Sequence, residues 1–332
     1  MIQRLFILLC SSCLTAAASP GDFLAKPDAW FGSAEGGEIT ARIRSWQSDP
    51  GSWPKNKDTT RAAFTGDRSK LSGTFDNRAT TDELRFLARA FRATGDATCR
   101  TALLTGIDHI LTAQYPNGGW PQYSPPGKGY AKHITFNDGC MIRLLEFLRE
   151  VTTADEFKFL DVPRRDAAAK AVGRGIDCIV KCQVIVRGTA TVWCAQHDEI
   201  TLAPAAARNY ELVSLSGSES AGILAFLMSL EKPSREVIRA VNAGAAWFES
   251  AKIAGIRVVK TGDDREVAQD ASAPPLWARF YQIESNRPIF CGRDGVMRYE
   301  LAEIDAERRN GYAWYGNWGE KVAKAHAKWP HR

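Results

Sequence analysis

The chain has 332 residues, 45% of them hydrophobic and ten of them Trp, ample for one large domain with a sizeable core. Its formal charge of +5 is mild. That balance suits an acidic substrate but is equally common without an anionic partner, and no basic run is long enough to point to nucleic acid.

Residues 1–18 have the makeup of an export signal: Arg4, an apolar stretch from Leu5 to Leu14, and Ala16-Ala17-Ala18 before Ser19. The stretch is too short to cross a bilayer, and no other segment has membrane length. The expected product is therefore secreted or periplasmic, with residues 19–332 forming a single catalytic domain. An exported chain can hold disulfides, but spacing assigns no connectivity to Cys99, Cys140, Cys178, Cys182, Cys194 and Cys291. Cys178 and Cys182 lie one helical turn apart and read as packed thiols. No cysteine pair has zinc-ribbon spacing and there is no HExxH.

From Ser19 to Leu71 the chain is rich in Gly, Pro, Trp and charge, with weak periodicity, and reads as an irregular lead-in. Helical periodicity then begins. Leu84, Leu87, Ala88 and Phe91 form one stripe, and Leu103, Ile107, Ile110 and Leu111 form the next. The phrase Gly106-Ile107-Asp108-His109-Ile110-Leu111-Thr112-Ala113-Gln114 returns as Gly175-Ile176-Asp177-Cys178-Ile179-Val180-Lys181-Cys182-Gln183. A degenerate copy starts at Gly244, giving a constant step of 69 residues. Each copy follows an earlier helical run, at Leu84–Phe91, Met141–Leu148 and Ile223–Leu230. Three helix-loop-helix units result, each with wide apolar faces that only a neighbouring unit can bury. The predicted fold is all-α: a partial (α/α)3 toroid with irregular loops and short strands. Beyond Val258 come aromatic, Arg-rich loops and one helix near Ala302 to Arg309.

Polar residues gather just before the first helix of each unit: Thr74-Phe75-Asp76-Asn77-Arg78, His133-Ile134-Thr135-Phe136-Asn137-Asp138, and Ser214-Leu215-Ser216-Gly217-Ser218-Glu219. In a ring, equivalent helix ends share one side, so Asp76, Asp138 and Glu219 would converge on one cleft. Helix capping is the plainer explanation for any one of them; repetition favours a site. Two carboxylates among amide oxygens suit calcium, which takes oxygen ligands. Long loops carry Trp120 and Trp193, which would either offer flat faces to sugar rings or plug the ends of the helix ring. Arg279 and Arg293 stand among aromatics late in the chain, and the Arg fork matches a carboxylate, as in an acidic sugar.

Several phrases together resemble polysaccharide lyase family 10, the pectate lyases: NGGWPQY (Asn117–Tyr123), HITFND (His133–Asp138), WCAQHD (Trp193–Asp198), SLSGSES (Ser214–Ser220), WARFY (Trp277–Tyr281), NRPIFCGRDG (Asn286–Gly295) and RRNGYAWYG (Arg308–Gly316). They fall in order over roughly residues 30 to 320. The resemblance implies a partial α/α toroid and calcium-dependent β-elimination of polygalacturonate with an arginine base. It places the base at Arg208, the metal-binding acids at Asp76 and Asp138, and substrate contacts at Asn77, Arg279 and Arg293. Gly139 departs from the pattern, which often has an acid or amide there. The expected cofactor is Ca2+ and the expected state a monomer, with no membrane or nucleic-acid partner. Arg is a poor base near neutrality, so neighbouring cations are expected to lower its pKa. A pectin-binding protein without catalysis, or a glycoside hydrolase using Asp76 and Asp138 as its carboxylate pair, are the alternatives.

Overall fold

The computed structural model describes residues 18–331, so residues 1–17 of the expected export signal lie outside the described residues. The helices are α1 (Asp28–Phe31), α2 (Ala34–Ser45), α3 (Thr81–Thr94), α4 (Ala97–Ala113), α5 (Cys140–Thr153), α6 (Val162–Cys182), α7 (Gly217–Met228), α8 (Arg235–Ser250), α9 (Ala306–Gly311) and α10 (Trp318–Lys328). The three predicted units are α3–α4, α5–α6 and α7–α8. Each pair packs together, and the pairs stack, with α3, α5 and α7 in one layer and α4, α6 and α8 in the other. This is the helical partial toroid.

The recurring glycine has a packing role. A methyl group on Gly175 would fall 2.5 Å from Leu145 Cδ2, and one on Gly244 would fall 2.9 Å from Leu224 Cδ2. Gly106 meets Leu84 in the same way. In every unit the glycine lets a Leu of the first helix press onto the second helix backbone. The Gln that closes the phrase ties one unit to the next. Gln114 Nε2 donates to the Ala171 carbonyl on α6 at 2.9 Å, and Gln183 Nε2 to Ala240 on α8 at 2.9 Å.

The lead-in is not irregular throughout. Gln47 donates to Ala102 on α4 at 2.8 Å, as its later counterparts do. Buried Trp53 donates to the Ile43 carbonyl of α2 at 2.7 Å, as Trp120 does to Ile110, Trp193 to Ile179 and Trp277 to Phe248. α2 is therefore the second helix of an additional half-unit. Its own apolar residues are few, with Ile39 and Ile43 buried, so its periodicity is weak in sequence. At the other end α10 covers α7 and α8, and a hairpin (Ile256–Thr261 with Asp264–Gln269) occupies a stretch expected to be loop. Helix α9 lies near its predicted position, over Ala306–Gly311. The six described cysteines are buried and free.

Gly175→Ala should overpack the Leu145 contact and lower stability by about 1–3 kcal/mol, read as a lower denaturant midpoint with unchanged slope.

Candidate active site

The repeat also builds the site. Two residues after Trp120, Trp193 and Trp277 the backbone hydrogen-bonds to the segment that leads into a first helix: Phe75 N–H donates to the Gln122 carbonyl, Phe136 N–H to Ala195, and Gly217 N–H to Arg279. On the other side, the Thr74, Thr135 and Ser216 amides donate to the carbonyls of Trp53, Trp120 and Trp193. Lys55, Gln122, Ala195 and Arg279 are therefore equivalent positions in four successive units. Three of them carry polar side chains, and all three of those side chains bond to acids at one end of the ring. Lys55 Nζ lies 2.5 Å and Gln122 Nε2 2.7 Å from Asp76 Oδ2. Arg279 Nη2 lies 2.5 Å from Glu219 Oε1 and 3.5 Å from Asp138 Oδ1.

Asp76, Asp138 and Arg208 line one cavity of about 170 Å³, together with Asn77, Asn137, Gln122, Lys55 and Glu211. The two loops before α3 and α5 match one step out of the expected register. Asn77 and Arg78 have φ of 52° and 68°, and Asp138 and Gly139 have 51° and 71°. Asn77 is thus equivalent to Asp138, and Asp76 to Asn137: each loop contributes one acid and one amide in opposite order. Gly139 occupies the second left-handed position, where an L side chain is strained. Neither acid caps a helix. Asp76 accepts from the Asn77 N–H at 2.8 Å and precedes α3 by a turn, while Asp138 accepts from Asn137 Nδ2 at 2.7 Å. Glu219 does not line the cavity. It is buried against Arg279, its carboxylate bonded to that guanidinium and to Ser216.

The guanidinium groups are interleaved with tyrosine rings. Arg279 lies 4.6 Å and Arg208 5.9 Å from the Tyr312 ring centre; Arg208 lies 4.8 Å and Arg308 4.7 Å from Tyr210. Each contact is a favourable cation–π interaction, and each cation also has a carboxylate: Glu219, Glu211 and Glu307 respectively. Glu211, only 2% exposed, receives Arg208 Nε at 2.8 Å and Nη2 at 2.5 Å, and the Tyr312 hydroxyl at 2.7 Å. Burial opposes the Glu211 charge, but Arg208 holds its carboxyl below the usual range. The same bonds raise the Arg208 pKa above its ordinary value. The expected lowering by neighbouring cations is reversed here because the nearest charge is an anion. Arg293 lies outside the cavity lining, on the surface, paired with Glu307 at 2.9 Å.

The Pectic acid lyase family model matches residues 47–323. This chain belongs to the pectic acid lyases. Two solved structures of a family 10 polysaccharide lyase from Cellvibrio cellulosa are similar to it, one of the enzyme and one of a point mutant in complex with trigalacturonic acid. Each is 34% identical, with a TM-score of 0.82, covering 94% of this chain and 97% of the other. No curated protein matches the chain.

The cavity is also lined by residues that sequence reasoning did not single out: Lys55, Gln122, Tyr130, Gln196 and Glu211. The spacing Trp-x-Lys, Trp-x-Gln and Trp-x-Arg at 53, 120 and 277 marks two of these together with Arg279. Trp120 and Trp193 have no exposed surface and plug the ring rather than stack on sugars. Among the described residues, His133, Asp198 and Glu199 form the one group of three side chains placed to share a metal. Glu199 is bonded to Lys132 at 2.7 Å and His133 at 3.1 Å, and Asp198 Oδ1 accepts from the Ile200 and Thr201 amides. The cluster thus fixes the outer end of the strand pair Ile134–Thr135 and Gln196–His197.

The loop carrying Asp76 is anchored at Thr80, the N-cap of α3. The Thr80 hydroxyl accepts from the Trp53 N–H at 2.9 Å and donates to the Thr74 carbonyl at 2.9 Å, while its N–H donates to Glu83 Oε2 at 2.8 Å. Burial, with a smaller push from Asp82, raises the Glu83 pKa to about 8. Folded chains thus keep this proton where unfolded chains have lost it. The stabilising effect is complete below the unfolded carboxyl pKa and disappears as pH rises through about 8. Glu83→Gln, which keeps the acceptor, should exceed the parent by roughly 1–3 kcal/mol at alkaline pH and match it near pH 4.5, as read by denaturant unfolding at both values.

Proposed function

We propose that this lyase cleaves polygalacturonate by β-elimination, with Arg208 as the base and calcium held by Asp76 and Asp138. The observation that carries the reading is the gathering of these three side chains, far apart in sequence, on one small polar cavity. The Cellvibrio cellulosa relative in complex with trigalacturonic acid supports the substrate.

The residues present fit calcium. Its ligands are oxygens, and the cavity offers two carboxylates and the amide oxygens of Asn77, Asn137 and Gln122. The charges agree: the lining holds two cations, Lys55 and Arg208, against three carboxylates, Asp76, Asp138 and Glu211. That excess of negative charge repels a uronate, and a divalent cation reverses it. When bound, the ion neutralises the uronate carboxylate and so makes the C5 proton easier to remove.

The chain's own groups supply the rest. Arg279 is 7% exposed and is held rigidly by Glu219, within 3.5 Å of Asp138 Oδ1, where its charge adds to the neutralisation of an incoming uronate. Arg208, once deprotonated, takes the C5 proton. The C5–H electron pair forms the C4–C5 double bond, the C4–O4 bond breaks, and the departing oxygen is protonated from water. Lys55 lines the same cavity, and hydrogen bonding to Asp76 keeps it charged although burial opposes this. Because Arg must lose a proton to act, activity is expected to rise into the alkaline range. Export follows the same reading, since a polymeric substrate is met outside the cell and the first 18 residues have the composition of a signal.

Polygalacturonate with calcium should yield products absorbing in the ultraviolet, as an unsaturated uronide does. A chelator should abolish that signal and added calcium restore it. Arg208→Ala should lose roughly 10²–10⁴-fold in kcat; parent rates at saturating calcium would exclude Arg208 as the base. Reducing ends without absorbance would mean hydrolysis instead.

A further inference from the structure

Arg208 is not free to choose which nitrogen meets the substrate. Its Nε and Nη2 both donate to Glu211, at 2.8 and 2.5 Å. Nη1 is the remaining donor group, and no hydrogen bond from it is found among the described residues. The Glu211 carboxylate is itself fixed, for Oε1 also accepts from the Tyr312 hydroxyl at 2.7 Å and Oε2 lies 3.2 Å from the Arg208 N–H. It is nearly inaccessible to solvent, whereas the Arg208 side chain is 41% exposed and lines the cavity. An ionised carboxylate is an acceptor only. Both nitrogens bonded to it must therefore keep a proton.

We propose that Glu211 is a positioning residue that fixes the tautomer of Arg208: by holding protons on Nε and Nη2 it makes Nη1 the nitrogen that loses a proton and then accepts one from C5. The proposal rests on reading Arg208 as the base. The proton balance is simple. Nη1–H2 gives one proton to solvent hydroxide, becoming Nη1–H with a lone pair; the C5 proton then restores Nη1–H2. Glu211 stays ionised throughout. It acts as does the buried carboxylate that holds a catalytic imidazole in its working tautomer, where replacement by an amide costs roughly 10⁴-fold in kcat. The arrangement has a consequence for pH. The anion that selects the nitrogen also stabilises the charged guanidinium, so the base works only under alkaline conditions. Other groups around Arg208 act on it as well: Tyr210 and Tyr312 lie against its guanidinium, and Lys55, Asp76, Asp138 and Tyr130 line the same cavity. Arg279 and Arg308 stand beyond the two rings. Among the described residues, Glu211 is the one group of these that accepts from two of the Arg208 guanidinium nitrogens.

The test is the kcat–pH profile of Glu211→Gln on polygalacturonate at saturating calcium. A fall in kcat of about 100-fold or more, a KM within threefold of the parent, and a half-maximal pH moved to lower values are expected. Parent-like kcat and profile would overturn the proposal, as would a fall in kcat with the profile unmoved. Should Glu211→Gln not fold, Tyr312→Phe keeps the ring and removes one bond from Glu211. That carboxylate then holds the guanidinium proton more tightly, and the profile should move to higher pH; no movement, or movement the other way, overturns the proposal. Exogenous guanidine separates this idea from the base assignment. It should restore part of the activity of Arg208→Ala while Glu211 is present, and none in the double variant with Glu211→Gln. Equal rescue in both backgrounds overturns the role of Glu211 and leaves Arg208 as the base, whereas an Arg208→Ala variant with parent rates overturns both.

Discussion

Everything at the site depends on the indole N–H of a buried Trp meeting a carbonyl near the end of a helix. Four such bonds, from Trp53, Trp120, Trp193 and Trp277, fasten the loop that leaves α2, α4, α6 and α8 onto the helix it has just left. A helix C-terminus leaves carbonyls without partners, and a Trp N–H that satisfies one of them inside the core is costly to move. With the Trp fixed, the carbonyls of Trp53, Trp120 and Trp193 hold the leader of the next first helix, and those of Gln122, Ala195 and Arg279 hold the leader of the pair just completed. Lys55 and Gln122 line the cavity for this reason, and Arg279 reaches its lining residue Asp138.

The second constraint is electrostatic. Arg208, Arg279 and Arg308 are brought together near one cavity, where like charges in a poorly solvated space repel strongly. Tyrosine faces between them and a carboxylate behind each one make the cluster tolerable. Removing Glu219 would leave buried Arg279 with only the longer contact to Asp138, a loss approaching roughly 3–5 kcal/mol. The cavity lining nevertheless carries more carboxylates than cations, the opposite of what an acidic polymer requires on its own.

How much of this was legible in the sequence follows from which signals are periodic. The three helix pairs were, because Leu, Ile and Val recur at helical spacing and the phrase at 106 returns at 175 and 244. The half-unit α2 was not, because its phrase keeps only Ile43 and Gln47 among polar and charged residues. The hairpin from Ile256 to Gln269 was missed since its exposed valines alternate with Arg, Lys and Glu and look like a charged loop. Asp76, Asp138 and Arg208 were found through long phrases resembling the family; Arg293 was carried over with them and lies on the surface, paired with Glu307. Lys55 and Glu211 escaped notice because each is defined by a partner that only the folded chain brings near or, for Glu211, by a charge three residues after Arg208 that reads as an ordinary local ion pair.

The glutamine links end before the last helix pair does. Gln47, Gln114 and Gln183 each reach forward to the following unit, but the next place in that series, 69 residues after Gln183, is Lys252, whose ammonium turns back to Glu249 instead. The Lys252 ammonium is engaged in that local pair, and α10 packs against both α7 and α8 at this end of the array. The last helix pair is thus capped by a helix from outside the repeat, and the apolar flank that each earlier pair offers to its successor is covered here by the chain's own tail.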